Sequence, residues 1–474
     1  MSDKKSFYIT TTLPYVNAEP HIGFALEVIQ ADALARYWRS SGHDVFFSTG
    51  TDEHGQKVFE AAEKNKEDVK KYTDRYADEY KKLGDALNLS HDAFIRTTDE
   101  HHIKAAQEMW KRCEKDIYKK EFEGQYCVGC ERFLAQRDLT DGKCLIHGTE
   151  PQELKEENWF FNFKKYEKPL LEYLENPKVI IPDWRRAEAI NFVKEGLEDF
   201  SVSREKSRLS WGIPVPGDDS QVMYVWFDAL TNYISTLDWP NEGGVDLFEK
   251  FWNKGQTVQM AGKDQVRFQS LMWQAMLMSA GIKNTNQIFY HGFITSGGQK
   301  MSKSLGNVIS PYDLVKKYGT DATRYLLLRH VNSTEDTDVT WERLDEWYTA
   351  GLVNGLGNLV SRILTMAENY KVTTIRPAIF DKSNQNIESF NFQEYMNHIW
   401  DLVQKTDKKI QNEEPYKKYK TEQQVAINIV SVLCTHLSEI AYLLEPVMPK
   451  TAEIIHDSLR DLRKPKNLFP RLNA

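Results

Sequence analysis

Pro20-His21-Ile22-Gly23-Phe24 and Lys300-Met301-Ser302-Lys303-Ser304 are the two stretches on which the reading of this chain turns. The first follows a strand-like run, Phe7-Tyr8-Ile9-Thr10-Thr11-Thr12, that breaks at Leu13-Pro14, and it opens a helical pattern. Pro20 suits the first helical position, and His21 then falls in the first turn, where free amide hydrogens and the positive dipole end attract an anion. The second lies between Gly297-Gly298 and Gly306-Asn307, so its two lysines ride on a backbone that can close onto a bound anion. The pair fits polyphosphate chemistry.

Working outward, short β-rich runs alternate with helical patterns, the signature of parallel α/β units. The spacing of Ile22, Leu26, Ile29, Ala33 and Tyr37 predicts a helix from His21 to Ser40, ended by Gly42. A second strand, Asp44 to Ser48, runs into Thr51-Asp52-Glu53-His54-Gly55. Ligands of open α/β sheets bind at the carboxyl ends of strands, so Tyr15, His21 and Asp52 are expected in one crevice. From about Glu121 to Pro216 turns, aromatics and charges replace this pattern, which reads as an insertion. Strand and helix signals return at Met223 to Phe227 and at Val258 to Met260, and a long helix from Val266 to Ala280, closed by Gly281, and a strand from Gln287 to Tyr290 complete the second half of the sheet. After Trp341 every periodic segment is helical.

The 474 residues, 41% hydrophobic and 12% aromatic, are those of an ordinary globular enzyme of roughly two to four domains. A net charge of -8 argues against indiscriminate coating of nucleic acid. Basic residues do cluster late, at Lys405, Lys408, Lys409, Lys417, Lys418 and Lys420, and on charge alone they read as a solvated helix face. The least charged stretches, Phe268 to Ile282 and Gln423 to Ser438, look too short and too polar to span a bilayer, and no apolar run follows Met1, so a soluble cytoplasmic protein without a membrane partner is expected.

Cys127-Val128-Gly129-Cys130 and Cys144-Leu145-Ile146-His147 have the spacing of a four-ligand zinc site. Two such turns close a tetrahedron with no open position, which makes the expected metal structural. Cys113 and Cys434 sit in helical patterns and read as core thiols.

With these features together, the chain resembles class I aminoacyl-tRNA synthetases, and among them the methionyl-tRNA synthetases. Their two nucleotide signatures match His21-Ile22-Gly23-Phe24, with Phe24 in place of a second histidine, and Lys300 to Ser304. Methionine is implied by Leu13-Pro14-Tyr15, Thr51 to Gly55, Tyr224-Val225-Trp226-Phe227-Asp228-Ala229 with Tyr233, and Gly262-Lys263-Asp264. The resemblance implies an α/β fold with a Rossmann-type parallel sheet, a zinc-knuckle insertion and a C-terminal α-helical bundle. The corresponding divisions are 1–115 and 222–296 for the sheet domain, 116–221 for the insertion, 297–345 for the second-signature loop and stem-contact region, and 346–474 for the anticodon-binding helices.

It further implies ATP, L-methionine and tRNA(Met), including the initiator, as partners of a monomer, with Mg2+ accompanying ATP. His21, Lys300, Lys303 and Arg204 would be catalytic, and His21, Gly23, Phe24, Asp264, Lys300 and Lys303 would hold ATP. Leu13, Tyr15, Asp52, Trp226, Tyr233 and Gln269 would hold methionine, Gln269 and Gln265 departing from the family pattern. The residues alone leave Trp226 and Tyr233 open to plain core packing, and Asp52 open to either a substrate ammonium or Lys57 as its cationic partner. Asn358 and Arg362, an i,i+4 pair, would read anticodon bases, with Tyr416 stacking where the family carries Trp. The insertion is too short for the editing domain of the isoleucine, valine and leucine enzymes. A catalytically silent relative would be expected to lose His21, Asp52 or Lys303, and no P-loop motif occurs.

Overall fold

The runs expected at Phe7, Asp44, Val258 and Gln287 pair in one sheet, whereas the stretch Met223 to Phe227 only ends an antiparallel strand at Met223 and is helical from Val225. A computed structural model of the chain describes residues 4–134, 136–146, 148–241, 246–301, 307–373 and 384–472. Strands β1 (Ser6–Thr10), β2 (Asp44–Thr51), β3 (Ala93–Arg96), β4 (Ile180–Ile181), β5 (Gln256–Gly262) and β6 (Gln287–His291) pair in the order β3-β2-β1-β5-β6-β4. Every pairing is parallel, as in Phe7 with Val45 on one side of β1 and with Gln256 on the other. Strands β1, β5 and β6 are buried along nearly their whole length, polar Thr10 and Gln259 included, because both faces of such a sheet are covered. The order reverses between β1 and β5, which opens a crevice beyond their carboxyl ends.

The chain divides into two compact units. One comprises Met1–Pro20, Asp44–Lys82 and His91–His291, and it holds the sheet. The insertion within it is a four-stranded antiparallel sheet whose long hairpin pairs Ile117–Cys127 with Gln152–Phe161, from Ile117 opposite Phe161 to Tyr126 opposite Gln152. The expected helix from Val266 is not uniform: Phe268–Met272 is π-helical and Trp273–Ala280 is α-helical, closed by Gly281 at φ +70°. A π segment adds a residue to the turn, which a 3.6-residue periodicity cannot register.

The other unit comprises His21–His43, Leu83–Ser90 and Gly292–Ala474, and after Trp341 its regular elements among the described residues are helical. Its three chain segments meet at one buried charge cluster. Asp32, fully buried, pairs with Arg324 and Arg36 at 2.7 Å each and accepts from the Ser90 amide and hydroxyl. Arg324, also fully buried, donates onward to the carbonyls of Leu87, Pro446 and Val447. Burial alone would raise the Asp32 carboxyl, but Arg324, Arg36 and Ser90 hold it below the usual carboxylate range.

Two expectations change. Pro20 stands outside the helix, which runs Ile22–Ser40, and His21 is its N-cap in extended conformation at φ -115° and ψ 163°. The apolar stretch near Gln423 extends to Leu444, a 22-residue helix that by length and composition alone could cross a membrane. Its Ala426, Ile429, Val430, Leu433, Leu437, Ile440, Ala441 and Leu444 are buried inside the unit. A half-buried apolar helix of this kind is also what a bundle core requires.

Candidate active site and metal centre

The carboxyl ends of β1 and β2 are joined beyond the sheet by a parallel bridge between Tyr15 and Asp52, with the Val16 amide donating to the Asp52 carbonyl and the Asp52 amide to the Pro14 carbonyl. The bridge fixes where the Asp52 side chain stands. That carboxyl is 2% exposed and accepts from the His54 amide at 3.4 Å. Burial first, and then Asp228, Glu131 and Glu53, push it well above the usual carboxylate range. A cation arriving beside it would relieve both terms.

Around it stands an aromatic wall. Tyr15 meets Trp226 edge-on, with centroids 6.0 Å apart, and Trp226 stacks on Phe268 at 3.9 Å and 13°. Tyr233 accepts a 3.1 Å hydrogen bond from Gln269 Nε2. Lys57, the alternative partner for Asp52, carries its ammonium 5.2 Å above the Tyr15 ring. Tyr15 Oη and Gln269 Oε1 are buried and lack a hydrogen-bond partner in the structure, a cost that a bound polar ligand would remove. Leu13 is half-buried at the same strand end. Asp264 lies on the turn Lys263–Gln265 just after β5, with its carboxylate folded against Gly262, where a Cβ would come 2.8 Å from Asp264 Oδ1.

Behind the wall lies a polar cluster that the sequence did not single out. Asp228, fully buried, accepts from His54 Nδ1 at 2.7 Å and from His102 Nε2 at 2.8 Å, and His102 Nδ1 lies 2.8 Å from Ser235 Oγ. Burial would raise Asp228, yet His54 and His102 hold it below the usual range. An aspartate inside the otherwise apolar run Tyr224 to Leu230 was the available signal, but its partners come from distant segments.

The insertion supplies the metal-type cluster. The sulfurs of Cys127, Cys130 and Cys144 lie within 4.8 Å of one another, and all three residues are buried and outside any disulfide. Cys130 and Cys144 sulfurs are 3.5 Å apart, too far for a disulfide bond of about 2 Å and close to the roughly 3.8 Å that tetrahedral Zn–S bonds of 2.3 Å impose. Three convergent thiols therefore fit a soft metal ion. His147, the expected fourth ligand, lies outside the described residues.

This knuckle reaches the crevice. Glu131, in the left-handed region at φ +53°, accepts from the Lys57 amide at 2.5 Å and from the Tyr126 hydroxyl at 2.8 Å, and Trp226 Nε1 donates to the Cys130 carbonyl at 3.5 Å. Arg204, expected to be catalytic, is enclosed at 3% exposure among Tyr126, Phe133 and Tyr224, 4.6 to 5.3 Å from their centroids. It donates to Ser201 and Ser203, so its influence on a reaction would run through the residues that surround it.

The phosphate-type residues belong to the second unit. His21 Nδ1 accepts from the Gly23 and Phe24 amides at 3.1 and 3.3 Å, so the ring itself takes up two donors of the expected anion site. A Cβ on Gly23 would approach His21 Nδ1 to 3.0 Å, and the Phe24 ring is buried. Strands Ile294–Ser296 and Gln299–Lys300 form a hairpin through Gly297 and Gly298, both at positive φ, as a two-residue turn requires. The Lys300 backbone pairs with Thr295; its side chain and the whole of Lys303 lie outside the described part.

Comparison with known proteins accounts for this arrangement. The family model described as tRNA synthetases class I (M) matches residues 7–144 and 136–364. The chain belongs to this family. Over 96% of its length it is 40% identical to the methionine–tRNA ligase of Fusobacterium nucleatum, of which it covers 74%. The methionine–tRNA ligase of Rickettsia typhi is 37% identical, with 99% of this chain and 96% of that protein covered. Mycobacterium tuberculosis methionyl-tRNA synthetase in complex with methionyl-adenylate has a TM-score of 0.90 and 36% identity, covering 96% of this chain and 93% of that one. This family member also carries the expected helical residues. Asn358 and Arg362 share the helix Asn358–Asn369, where Asn358 is exposed and Arg362 is paired with Asp407. Tyr416 is 45% exposed at the short helix Pro415–Lys418. Lys409 and Lys417 pair with Glu413 and Glu414, as on a solvated helix face.

Proposed function

We propose that this chain is a methionine–tRNA ligase that activates L-methionine with ATP and transfers it to the 3′ end of tRNA(Met), the initiator included, in the cytoplasm. The observation that carries the reading is the buried, cation-demanding Asp52 carboxyl at the sheet's switch point beside the wall of Tyr15, Trp226 and Tyr233. Asp52 accepts the substrate ammonium, and an aromatic wall suits an unbranched thioether, which favours ring edges. Leu13 and Gln269 complete this pocket, with Gln269 orienting Tyr233. The substrate carboxylate attacks the α-phosphorus of ATP and expels pyrophosphate; a terminal ribose hydroxyl of the tRNA then attacks the adenylate carbonyl and releases AMP.

Positioning and charge stabilisation carry both steps. His21, Gly23 and Phe24 shape the nucleotide end, Asp264 contacts the nucleotide, and Lys300 and Lys303 neutralise the leaving pyrophosphate, to which Mg2+ adds its charge. Cys127, Cys130 and Cys144 with His147 hold a zinc ion, which supplies structure and no step. Arg204 stiffens the aromatic floor between the knuckle and the pocket. Asn358, Arg362 and Tyr416 read the anticodon, and the helical division 346–474 serves that purpose.

Pyrophosphate exchange measured with each of the twenty amino acids tests the specificity: methionine is expected to dominate, and preference for any other overturns the reading. Lys303→Ala is expected to lower exchange by about 100-fold while methionine still binds.

A further inference from the structure

Three residues that line the proposed methionine pocket share one feature: each has, two positions later, a member of the buried polar cluster. Asp52 is followed by His54, Trp226 by Asp228 and Tyr233 by Ser235. The loop after β2, the helix Val225–Leu230 and the helix Asn232–Ser235 are thereby joined through His54, Asp228, His102 and Ser235, with every link 2.7 to 2.8 Å long. His102 supplies the hub from a fourth element, the helix Glu100–Cys113, whose neighbouring Ala105, Ala106 and Met109 are core residues. Exposure across the cluster is 0% for Asp228, His102 and Ser235 and 5% for His54, so water does not compete for these bonds.

We propose that this cluster is a positioning clamp that sets the spacing between the ammonium acceptor Asp52 and the aromatic wall. The proposal rests on the methionine reading of the pocket. The wall has supports of its own, since Trp226 stacks on Phe268 and Tyr233 is bonded to Gln269. At Asp52 the loop is bridged to Tyr15, and the His54 end adds a second tie, to the helix that carries Trp226. The His54–Asp228 bond joins the loop that carries Asp52 to the helix that carries Trp226, across 174 residues of sequence. With both imidazoles donating to the Asp228 carboxylate, His102 Nδ1 accepts from the Ser235 hydroxyl, and donation converges on Asp228 from both ends. Loosening it should penalise a ligand that uses both ends of the pocket and spare one that uses the wall alone.

The test compares methionine with 4-(methylthio)butanoate, which keeps the thioether and lacks the ammonium. In Asp228→Asn the methionine KM in pyrophosphate exchange is expected to rise about tenfold, with kcat and the ATP KM within about twofold of the parent and the inhibition constant of the des-amino analogue likewise nearly unchanged. Ser235→Ala, at the far end of the clamp, is expected to give the same selectivity at about threefold and provides the test should Asp228→Asn fail to fold. Equal losses for both ligands, a matching loss for ATP, or no loss in either variant would overturn the clamp. Asp52→Asn separates the two levels of argument. If it leaves the methionine KM unchanged, the pocket reading falls and the clamp with it; if it raises that KM while the clamp variants do not, the clamp alone falls.

Discussion

Asp32 and Asp52 are both buried aspartates, one in each compact unit, and they sit in opposite electrostatic states. Asp32 is surrounded by Arg324, Arg36 and Ser90 and is held below the usual carboxylate range. Asp52 is surrounded by burial and by Asp228, Glu131 and Glu53, and is pushed well above it. The first is a completed structural joint; the second is a demand left open. Buried charge left without a cation is costly, so a fold that keeps it at the end of a sheet keeps it for a ligand.

The largest break in this comparison comes from the completed side. Arg324→Met removes the partner of a fully buried carboxylate and leaves the carbonyls of Leu87, Pro446 and Val447 without their donor. A loss of about 3–5 kcal/mol is expected in urea unfolding at pH 7. Asp52→Asn should do the reverse. It removes a strained charge, so unfolding at pH 7 should show stability unchanged or raised while methionine binding is lost.

The two carboxyls also titrate in opposite senses. Because Asp32 has a depressed folded value, the unfolded chain binds more protons in its window, and its stability contribution is present above the ordinary carboxylate range and lost as pH falls below it. Because Asp52 has a raised folded value, the folded chain binds more protons above that range, and stability falls as pH climbs through the window. An incoming ammonium favours the carboxylate, so methionine binding should release protons in the pH window above the ordinary carboxylate range. Calorimetry in buffers of different ionisation enthalpy reads this directly: a buffer-dependent binding enthalpy is expected for the parent chain and should disappear in Asp52→Asn.

How much of this was legible beforehand differs between the same regions. The sheet could be read because short β-rich runs alternate with helical patterns along the chain, and the cysteine turns because their ligands are local. Asp52 could be read because it follows a strand directly. The His54–Asp228–His102 cluster could not, since its members come from three separate segments and no local period connects them. The Asp32–Arg324 joint was hidden for the same reason. At His21 the local rule itself misled: proline preference placed Pro20 at the first helical position, but the imidazole of His21 caps the helix and moves the start to Ile22. The π turn at Phe268–Met272, which carries Phe268 and Gln269 into the pocket wall, was invisible to a search for α periodicity.

A third and smaller effect concerns the thiol cluster. Cys130→Ser is expected to lower the bound zinc from one equivalent toward none, by elemental analysis, because a hydroxyl is a poor replacement for a thiolate ligand. Since the Cys130 carbonyl accepts from Trp226 Nε1, methionine KM should rise with metal loss.

The smallest expected effect isolates how the knuckle supports the open carboxyl. Glu131 accepts the Lys57 amide in the first turn of the helix Gln56–Lys64, directly after the loop that carries Asp52. Gly55, the N-cap, has φ +98° and no side chain with which to do so, and a Cβ at that position would press on Glu131 Oε1 at 3.2 Å. Glu131 is thus a cap supplied from another segment, and removing a capping acceptor costs about 1 kcal/mol. Yet Glu131 is also one of the acids that raise Asp52. Glu131→Gln keeps an acceptor for Lys57 and removes the charge, so it should preserve stability and lower the Asp52 value, strengthening methionine binding at slightly acid pH. Glu131→Ala should lose the cap and weaken binding at every pH. Opposite signs for the two substitutions would show that support and charge are separate contributions of one residue, and a Glu131→Gln variant indistinguishable from the parent, with loss in Glu131→Ala alone, would show that only the cap matters.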